Sequence, residues 1–331
     1  MSRKLRFIWI DDNPKRKSSA NTLQDRLGVT VEFRNAYNQD LLSLLHSITE
    51  QEEPDLILMD HWFTEADSHP FVGSTAAEHL RETWPECLIV CVTAAGPEKV
   101  GSHKSDLYEL VIEIEKISNY DKILISIAQS FRTLRKKPPE TTKQLIKYLR
   151  APKDDYQSLE AVIPDAIKIS YGDKGCLLFI SKWVRNTLMK RPGFLYDRLW
   201  AATLLGIQEK SFHRVEHLFD KAKYSGIFAH EGEGFWWQSK LRSILSFLIR
   251  NDLVKSDKVL LPWEMGRLLH NITPKDHSKC YLSNEAFPET VAYIDETATK
   301  RAPMRLRYTV RHPRFEDALF FEEIRMMKGR A

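Results

Sequence analysis

The chain has 331 residues, of which 43% are hydrophobic and 28% charged, and its formal net charge of +4 excludes a global electrostatic preference for nucleic acid. There is room for two domains, and no apolar run approaches the roughly 20 residues of a membrane span, so we expect a soluble protein without a membrane partner. The start, MSRKLRF, lacks the apolar core of a signal peptide, and the four cysteines, Cys87, Cys91, Cys176 and Cys280, lack metal-type or disulfide-type spacing, which predicts a cytoplasmic location.

Two short apolar segments end abruptly in carboxylates. Residues 4–12 read KLRFIWIDD, and residues 55–60 read DLILMD. Their length and their Ile, Leu and Phe content are typical of buried parallel strands. Because ligands bind outside the carboxyl ends of such strands, we expect Asp11, Asp12 and Asp60 to meet at one point. Carboxylates that close repel one another unless a cation lies among them, so the pattern predicts a divalent-metal site of the kind that suits Mg²⁺.

Strands and helices alternate through the first part of the chain. Apolar runs predict further strands, and residues with helical spacing predict the helices between them. Five strands that alternate with helices predict a doubly wound α/β domain with a parallel sheet. The additional strands are predicted at 29–34, 87–96 and 111–116, and the helices at 15–28, 38–51, 75–84 and 121–135.

Five positions in this order resemble the receiver domain of two-component response regulators, over about residues 4–137. They are two acids after the first strand, an acid after the third, a hydroxyl residue after the fourth and a lysine at the fifth: Asp11, Asp12, Asp60, Thr93 and Lys116. The resemblance implies that Asp60 accepts a phosphoryl group, whose oxygens Thr93 and Lys116 contact. It also implies that Mg²⁺ binds the three carboxylates and the backbone carbonyl of Trp62.

The sequence departs from the family at three places. The lysine is followed by Ile117 and Ser118, where the family usually has a proline, and Glu113 stands where an aromatic residue is common. The loop after Asp60 is longer than usual, and we expect residues 61–63 to crowd the pocket. A receiver-like domain that keeps its acids but acts only by protein contact is therefore an alternative.

Simpler interpretations of the same residues stay open. Asp11 and Asp12 can cap the helix that follows them, and Asp60 can be an ordinary acid at a strand end. Thr93 precedes Ala-Ala-Gly and fits turn chemistry, while a lysine at a strand end, such as Lys116, is common.

The second part of the chain is less informative. A polar, proline-interrupted linker is expected at 138–158, after a domain at 1–137. Residues 159–331 contain five tryptophans and predict a mainly helical α+β domain with its own core. A single helix is expected at 211–224, and strands at 224–229 and 234–237 are expected to pair around the turn HEGE.

The leading hypothesis is a cytoplasmic signalling phosphoprotein. The resemblance implies phosphorylation by a histidine kinase or a small phosphodonor, and no enzyme activity beyond the protein's own phosphorylation and dephosphorylation. The C-terminal domain is expected to bind a protein partner or to serve as output. One alternative is a transcription regulator that binds DNA through Arg305, Arg307 and Arg311. Another is a contact module in a multi-protein defence or stress complex.

Overall fold

The computed structural model describes residues 3–63, 71–94, 99–100, 107–191, 193–252, 260–280, 284, 290–294 and 301–305. The chain forms two compact units, each built from two stretches of sequence. Unit 1 comprises Met1–Thr141 and Pro164–Lys182, and unit 2 comprises Thr142–Ile163 and Trp183–Ala331. This division differs from the expected order of domain, linker and domain, because a segment distant in sequence packs back into unit 1. No helix in the described ranges is both long and apolar enough to cross a membrane.

Unit 1 contains a five-stranded parallel sheet. Its strands stand in the order β2-β1-β3-β6-β7, and each neighbouring pair is parallel. A separate antiparallel pair, β4 and β5, follows β3. The predicted doubly wound fold class is therefore confirmed. The strands are β1 (Arg6–Asp11), β2 (Thr30–Asn35), β3 (Leu56–Met59), β4 (Trp62–Phe63), β5 (Phe71–Val72), β6 (Ile89–Thr93) and β7 (Leu110–Glu113).

Helices cover both faces of this sheet. Because side chains alternate along a strand, Phe7 and Trp9 of β1 enter the core on one face, whereas Ile8 and Ile10 enter the core on the other. The first face packs against α1 and α4, and the second against α2 and α3. The helices are α1 (Arg16–Leu27), α2 (Leu41–Thr49), α3 (Gly73–Thr83) and α4 (Asp121–Lys136), with a 3₁₀ helix at Ile114–Tyr120.

The returning segment of unit 1 contains two helices, α7 (Asp165–Ile169) and the greater part of α8 (Cys176–Trp183). In α8, the Leu177 N–H donates to the Glu86 carboxylate at 3.4 Å, and the Ser181 hydroxyl donates to the buried Glu109 carboxylate at 3.4 Å. These polar contacts attach the segment to the sheet unit.

Unit 2 is largely helical, as predicted. Its core combines Phe212, Phe219 and Trp236 with aliphatic residues of neighbouring helices. The helices are α5 (Thr142–Tyr148), α6 (Tyr156–Val162), α9 (Arg198–Leu204), α10 (Glu209–Phe212), α11 (Gln238–Asp252) and α12 (Pro262–Arg267), and the strands are β8 (Leu195–Tyr196), β9 (Trp236–Trp237), β10 (Thr290–Ile294) and β11 (Arg301–Arg305). A π-helix at Val184–Leu188 extends α8, and 3₁₀ helices lie at Lys153–Asp155, Glu216–Ala222 and Pro274–Asp276.

Two local predictions in unit 2 are wrong. Strand β9 pairs with β8, and the expected hairpin is reduced to one isolated bridge between Lys223 and Trp236, beside which the Tyr224 N–H donates to the Phe235 carbonyl at 2.7 Å. Phe228 has a φ of +63° that breaks the extended run. The helix expected at 211–224 is divided between α10 and a 3₁₀ helix. Of the arginines proposed to bind DNA, Arg307 and Arg311 lie outside the described residues.

Candidate functional site

Strand pairing brings the predicted acids together at the carboxyl edge of the sheet. Ile10 of β1 is paired with Met59 of β3, and the Asp60 N–H donates to the Ile10 carbonyl at 3.1 Å. Asp11 and Asp60 are therefore neighbours across the two strands. Each of Asp11, Asp12 and Asp60 offers one carboxylate oxygen, and these oxygens all lie within 4.8 Å of one another.

Burial and mutual repulsion shape the titration of this cluster. Desolvation raises the pKa of Asp60 from 3.8 to about 7, and the charge of Asp11 adds to the rise. Desolvation also raises the pKa of Asp11, to about 6, although the Asn13 N–H, 2.8 Å from its Oδ1, and the charge of Arg16 oppose the shift. A bound cation would stabilise the ionised form of these carboxylates, and their hard oxygen donors fit Mg²⁺.

The backbone N–H of Trp62 faces the Asp60 carboxylate. The Gly73 N–H donates to the His61 carbonyl at 2.7 Å and flanks the pair formed by Trp62 and Val72. That pattern makes Trp62 part of a non-hydrogen-bonded pair, so that its own N–H and C=O face away from β5. Accordingly, the Trp62 nitrogen lies 3.5 Å from Asp60 Oδ1. The Trp62 carbonyl likewise faces away from β5, and its role as a metal ligand stays a prediction.

An open cavity of about 490 Å³ lies over the acids. The buried Thr93 reaches it from the end of β6, two residues after Cys91, which pairs with Met59. Hydroxyl and carboxylate groups from three adjacent strands thus face one space. The lining residues are Asp11, Asp12, Asn13, Pro14, Arg16, Tyr37, Asp60, Trp62, Thr93 and Ala94.

Lys116 is placed differently. Strand β7 ends at Glu113, earlier than expected, and a 3₁₀ helix begins at Ile114. Ile114 and Ile117, three residues apart, both pack against the core, and this arrangement leaves Lys116 outside. Its side chain is 62% exposed and forms an ion pair with Glu113. Among the described residues, Lys116 is not part of the cavity lining, and its contact with a phosphoryl group stays a prediction.

Of the residues expected to crowd the pocket, only Trp62 lines it. His61 and Phe63, on either side of Trp62 in the chain, are fully buried, because side chains alternate along an extended backbone. The His61 Nδ1 lies 2.9 Å from the Tyr108 hydroxyl. Helix α3 begins at Gly73, where a Cβ atom would lie 2.3 Å from the Asp60 carbonyl oxygen, so the close approach of α3 to the site requires glycine.

Sequence reasoning did not assign five of the lining residues to the site: Asn13, Pro14, Arg16, Tyr37 and Ala94. A signal for Arg16 was present in the sequence. Residues 15–17 read KRK at the start of α1, and the first turn of this helix contains no acid. Acidic residues normally complement the positive end of a helix dipole, so a basic first turn indicates that anions lie nearby. For Tyr37, no comparable pattern exists.

No family model matches the sequence, and no curated protein matches it significantly. Among solved structures, the chain is similar to the signal receiver domain of an HD domain-containing protein from Pseudomonas fluorescens, with 13% sequence identity, a TM-score of 0.32 and coverage of 41% of this chain and 96% of that chain. It is also similar to the response regulator TrrA from Thermotoga maritima in complex with Mg²⁺-BeF, with 16% identity, a TM-score of 0.30 and coverage of 37% and 97%. A CheY-like receiver domain from Methylobacillus flagellatus gives 16% identity, a TM-score of 0.30 and coverage of 38% and 98%.

The first and the third of these are receiver domains, and the second is a response regulator protein. At these identities the similarity concerns the fold alone. The order β2-β1-β3-β6-β7 of a parallel sheet, with helices on both faces, independently assigns unit 1 to the flavodoxin-like class of doubly wound folds, with its acidic cluster at the carboxyl edge.

Proposed function

We propose that unit 1 is a phosphate-accepting signalling domain, in which Asp60 is the acceptor and Asp11, Asp12, Asp60 and the Trp62 carbonyl hold Mg²⁺. The observation that carries this proposal is the convergence of three carboxylates and the Thr93 hydroxyl on one open cavity at the carboxyl edge of the sheet. When bound, Mg²⁺ neutralises phosphoryl oxygens and lowers the repulsion between them and the attacking carboxylate.

The chain's own residues perform the transfer. A carboxylate oxygen of Asp60 attacks the phosphorus of the donor, and a new O–P bond forms. The bond from phosphorus to the leaving group breaks, and its electron pair goes to acetate when acetyl phosphate is the donor, or to imidazole when the donor is a phosphohistidine of a kinase. Water later cleaves the acyl phosphate and releases inorganic phosphate, so that Asp60 returns as a carboxylate.

Other groups of the site position this reaction. The backbone N–H of His61 donates to Asp60 Oδ1 at 2.7 Å and orients the carboxylate. Thr93 would donate its hydroxyl to a phosphoryl oxygen. Because the pKa of Asp60 is raised, this carboxyl is protonated in a fraction of the molecules near neutral pH when no cation is bound. Bound Mg²⁺ would restore the ionised, nucleophilic form.

For unit 2 we propose a role as output or as a contact surface for a protein partner. Its aromatic core supports an independently packed domain, and DNA binding remains an alternative without further support. A contact-only function for unit 1 is a second candidate, which the position of Lys116 favours, because this lysine is ion-paired on the surface and does not line the cavity.

Incubation of the full chain with acetyl phosphate and Mg²⁺, followed by intact mass spectrometry, tests the proposed function. We expect the wild type to gain one phosphoryl group and to lose it by hydrolysis once the donor is removed. Asp60→Asn should gain none, whereas Asp25→Asn, the same change on an exposed position of α1, should behave as the wild type. A wild type that gains no mass at any donor concentration would favour the contact-only function.

A further inference from the structure

The turn between β1 and α1 places the positively charged side chain of Arg16 in the cavity of the acidic cluster. The Asn13 side-chain carbonyl accepts the Lys15 N–H at 3.0 Å, and the Asn13 backbone carbonyl accepts the Arg16 N–H at 2.9 Å. These bonds begin the helix directly after Asp12 and hold Arg16 at its first position. The Arg16 side chain is half-buried and lines the same cavity as the three acids.

Charge around Arg16 is unusual for a helix start. Lys15, Arg16 and Lys17 are consecutive cations at the positive end of α1, an arrangement that the helix dipole disfavours. Lys15 and Lys17 are exposed, and water screens them. Arg16 instead lines the cavity, where its charge acts on Asp11, at some electrostatic cost to the helix. An anion that enters the cavity would be attracted by the charge of Arg16.

The comparison with Lys116 indicates which cation meets that anion. Lys116 is mostly exposed and forms an ion pair with Glu113, whereas Arg16 lines the same cavity as Asp60 and Thr93. A guanidinium also presents two parallel donors that match two phosphoryl oxygens. We propose that Arg16 is the side chain that holds the phosphoryl group on Asp60, an assignment that rests on the proposed phosphate-accepting function.

This role predicts opposite effects on two ligands of one site. Arg16 repels Mg²⁺ and attracts the phosphoryl group. Loss of its charge in Arg16→Met should therefore tighten Mg²⁺ binding, by about threefold for a repulsion across a partly solvated distance. The same variant should bind a phosphoryl analogue about tenfold or more weakly, since a charge-assisted hydrogen bond is lost. A residue with a purely structural role would not move the two affinities in opposite directions.

Two titrations of the full chain test the assignment. The first adds Mg²⁺ without a phosphodonor, and the second adds beryllofluoride at saturating Mg²⁺, with tryptophan fluorescence as the readout because Trp62 lines the cavity. The proteins are the wild type, Arg16→Met, Lys116→Met and Lys17→Met, the last being the matched control in the same helical turn. We expect the two-way shift in Arg16→Met, and changes below about twofold in both lysine variants.

The outcomes separate the assignment from the function on which it rests. If Arg16→Met binds beryllofluoride as tightly as the wild type, or if only Lys116→Met loses it, the assignment to Arg16 is overturned and the proposed function stands. If the wild type binds no beryllofluoride in the presence of Mg²⁺, the proposed function and this assignment fail together. Arg16→Lys retains the positive charge but not the two parallel donors of the guanidinium. Compared with Arg16→Met, it should return the Mg²⁺ affinity to the wild-type value and the beryllofluoride affinity only in part.

Discussion

The acidic residues at the two edges of the sheet in unit 1 have opposite electrostatic environments. At the amino edge, Asp55 precedes β3 and is held by Arg132, whose Nε lies 2.7 Å from Asp55 Oδ1 and whose Nη2 contacts Oδ2, while the Arg6 N–H donates to Oδ2 at 2.8 Å. At the carboxyl edge, burial and mutual repulsion raise the pKa values of Asp11 and Asp60. The protein neutralises the first edge with its own side chains and leaves surplus negative charge at the second, where a ligand can relieve it.

The difference shows how structural and functional acids can be told apart within one sheet. Arg132 also donates to the carbonyl of Arg3 at 2.6 Å and to that of Lys4 at 2.9 Å, so the Asp55 pair joins α4 to the segments that enter β1 and β3. Such a group stabilises the fold whether or not a ligand is bound. The acids of the carboxyl edge are expected to stabilise the fold only when a cation is bound, and this dependence on a ligand is what the following experiments measure.

The largest effect is expected at the amino edge. Arg132→Met would leave Asp55 partly buried without its bidentate partner, and we expect a loss of about 3 kcal/mol in the free energy of unfolding. Chemical denaturation with and without Mg²⁺ measures it, and the loss should be the same in both conditions. Lys122→Met, on an exposed position of the same helix, is the matched control. A loss that Mg²⁺ reverses would contradict the separation of the two edges.

A smaller effect of opposite sign is expected at the carboxyl edge. Asp60→Asn keeps an oxygen for the His61 N–H but removes one of the repelling charges, so the metal-free variant should be more stable than the wild type at pH 8 by about 2 kcal/mol. Because the folded-state pKa of Asp60, about 7, exceeds its usual 3.8, the native wild type binds more protons than the unfolded chain between these values. Wild-type stability therefore falls as the pH rises through that window.

Thermal unfolding from pH 4 to pH 8 without divalent ions checks this sign. The advantage of Asp60→Asn over the wild type should be largest above pH 7 and should shrink as the pH falls towards 4, because the native carboxyl is then protonated and the unfolded one, with its usual pKa of 3.8, begins to bind a proton as well. Added Mg²⁺ should raise the melting temperature of the wild type more at pH 8 than at pH 5, and it should raise that of the variant less. An advantage that is independent of pH would show that Asp60 carries no surplus charge in the native protein.

The smallest effect is expected for Lys116. Its pair with Glu113 is an exposed contact within one helical turn, so Lys116→Met should change the free energy of unfolding by less than about 0.5 kcal/mol. Chemical denaturation at low and high salt measures it, and salt should abolish the difference that remains. A loss above 1 kcal/mol, on the order of a buried interaction, would mean that Lys116 belongs to the acidic site and not to the surface.

Much of unit 1 was predictable from local patterns. The apolar runs that end in Asp11 and Asp60 identified two central strands, because only a strand buried on both faces needs so uniform a composition. The positions beyond a strand end were less predictable. Whether Lys116 points into the cavity depends on the turn after Glu113, and burial of Ile114 and Ile117 decides that turn. Burial is a property of the packed core and cannot be read from spacing alone.

The sequence by itself determined the alternation of strands and helices and, with it, the meeting of Asp11, Asp12 and Asp60, because parallel strands of one sheet bring their carboxyl ends to a common edge. Tertiary structure decided which other groups join them. Tyr37 lines the cavity, and Pro164–Lys182 packs into unit 1, through contacts between residues distant in sequence. Local hydrogen bonding and hydrophobic periodicity act over a few residues and can therefore be recognised in the sequence. The contacts of a side chain with residues distant in sequence are set only when the whole core is packed.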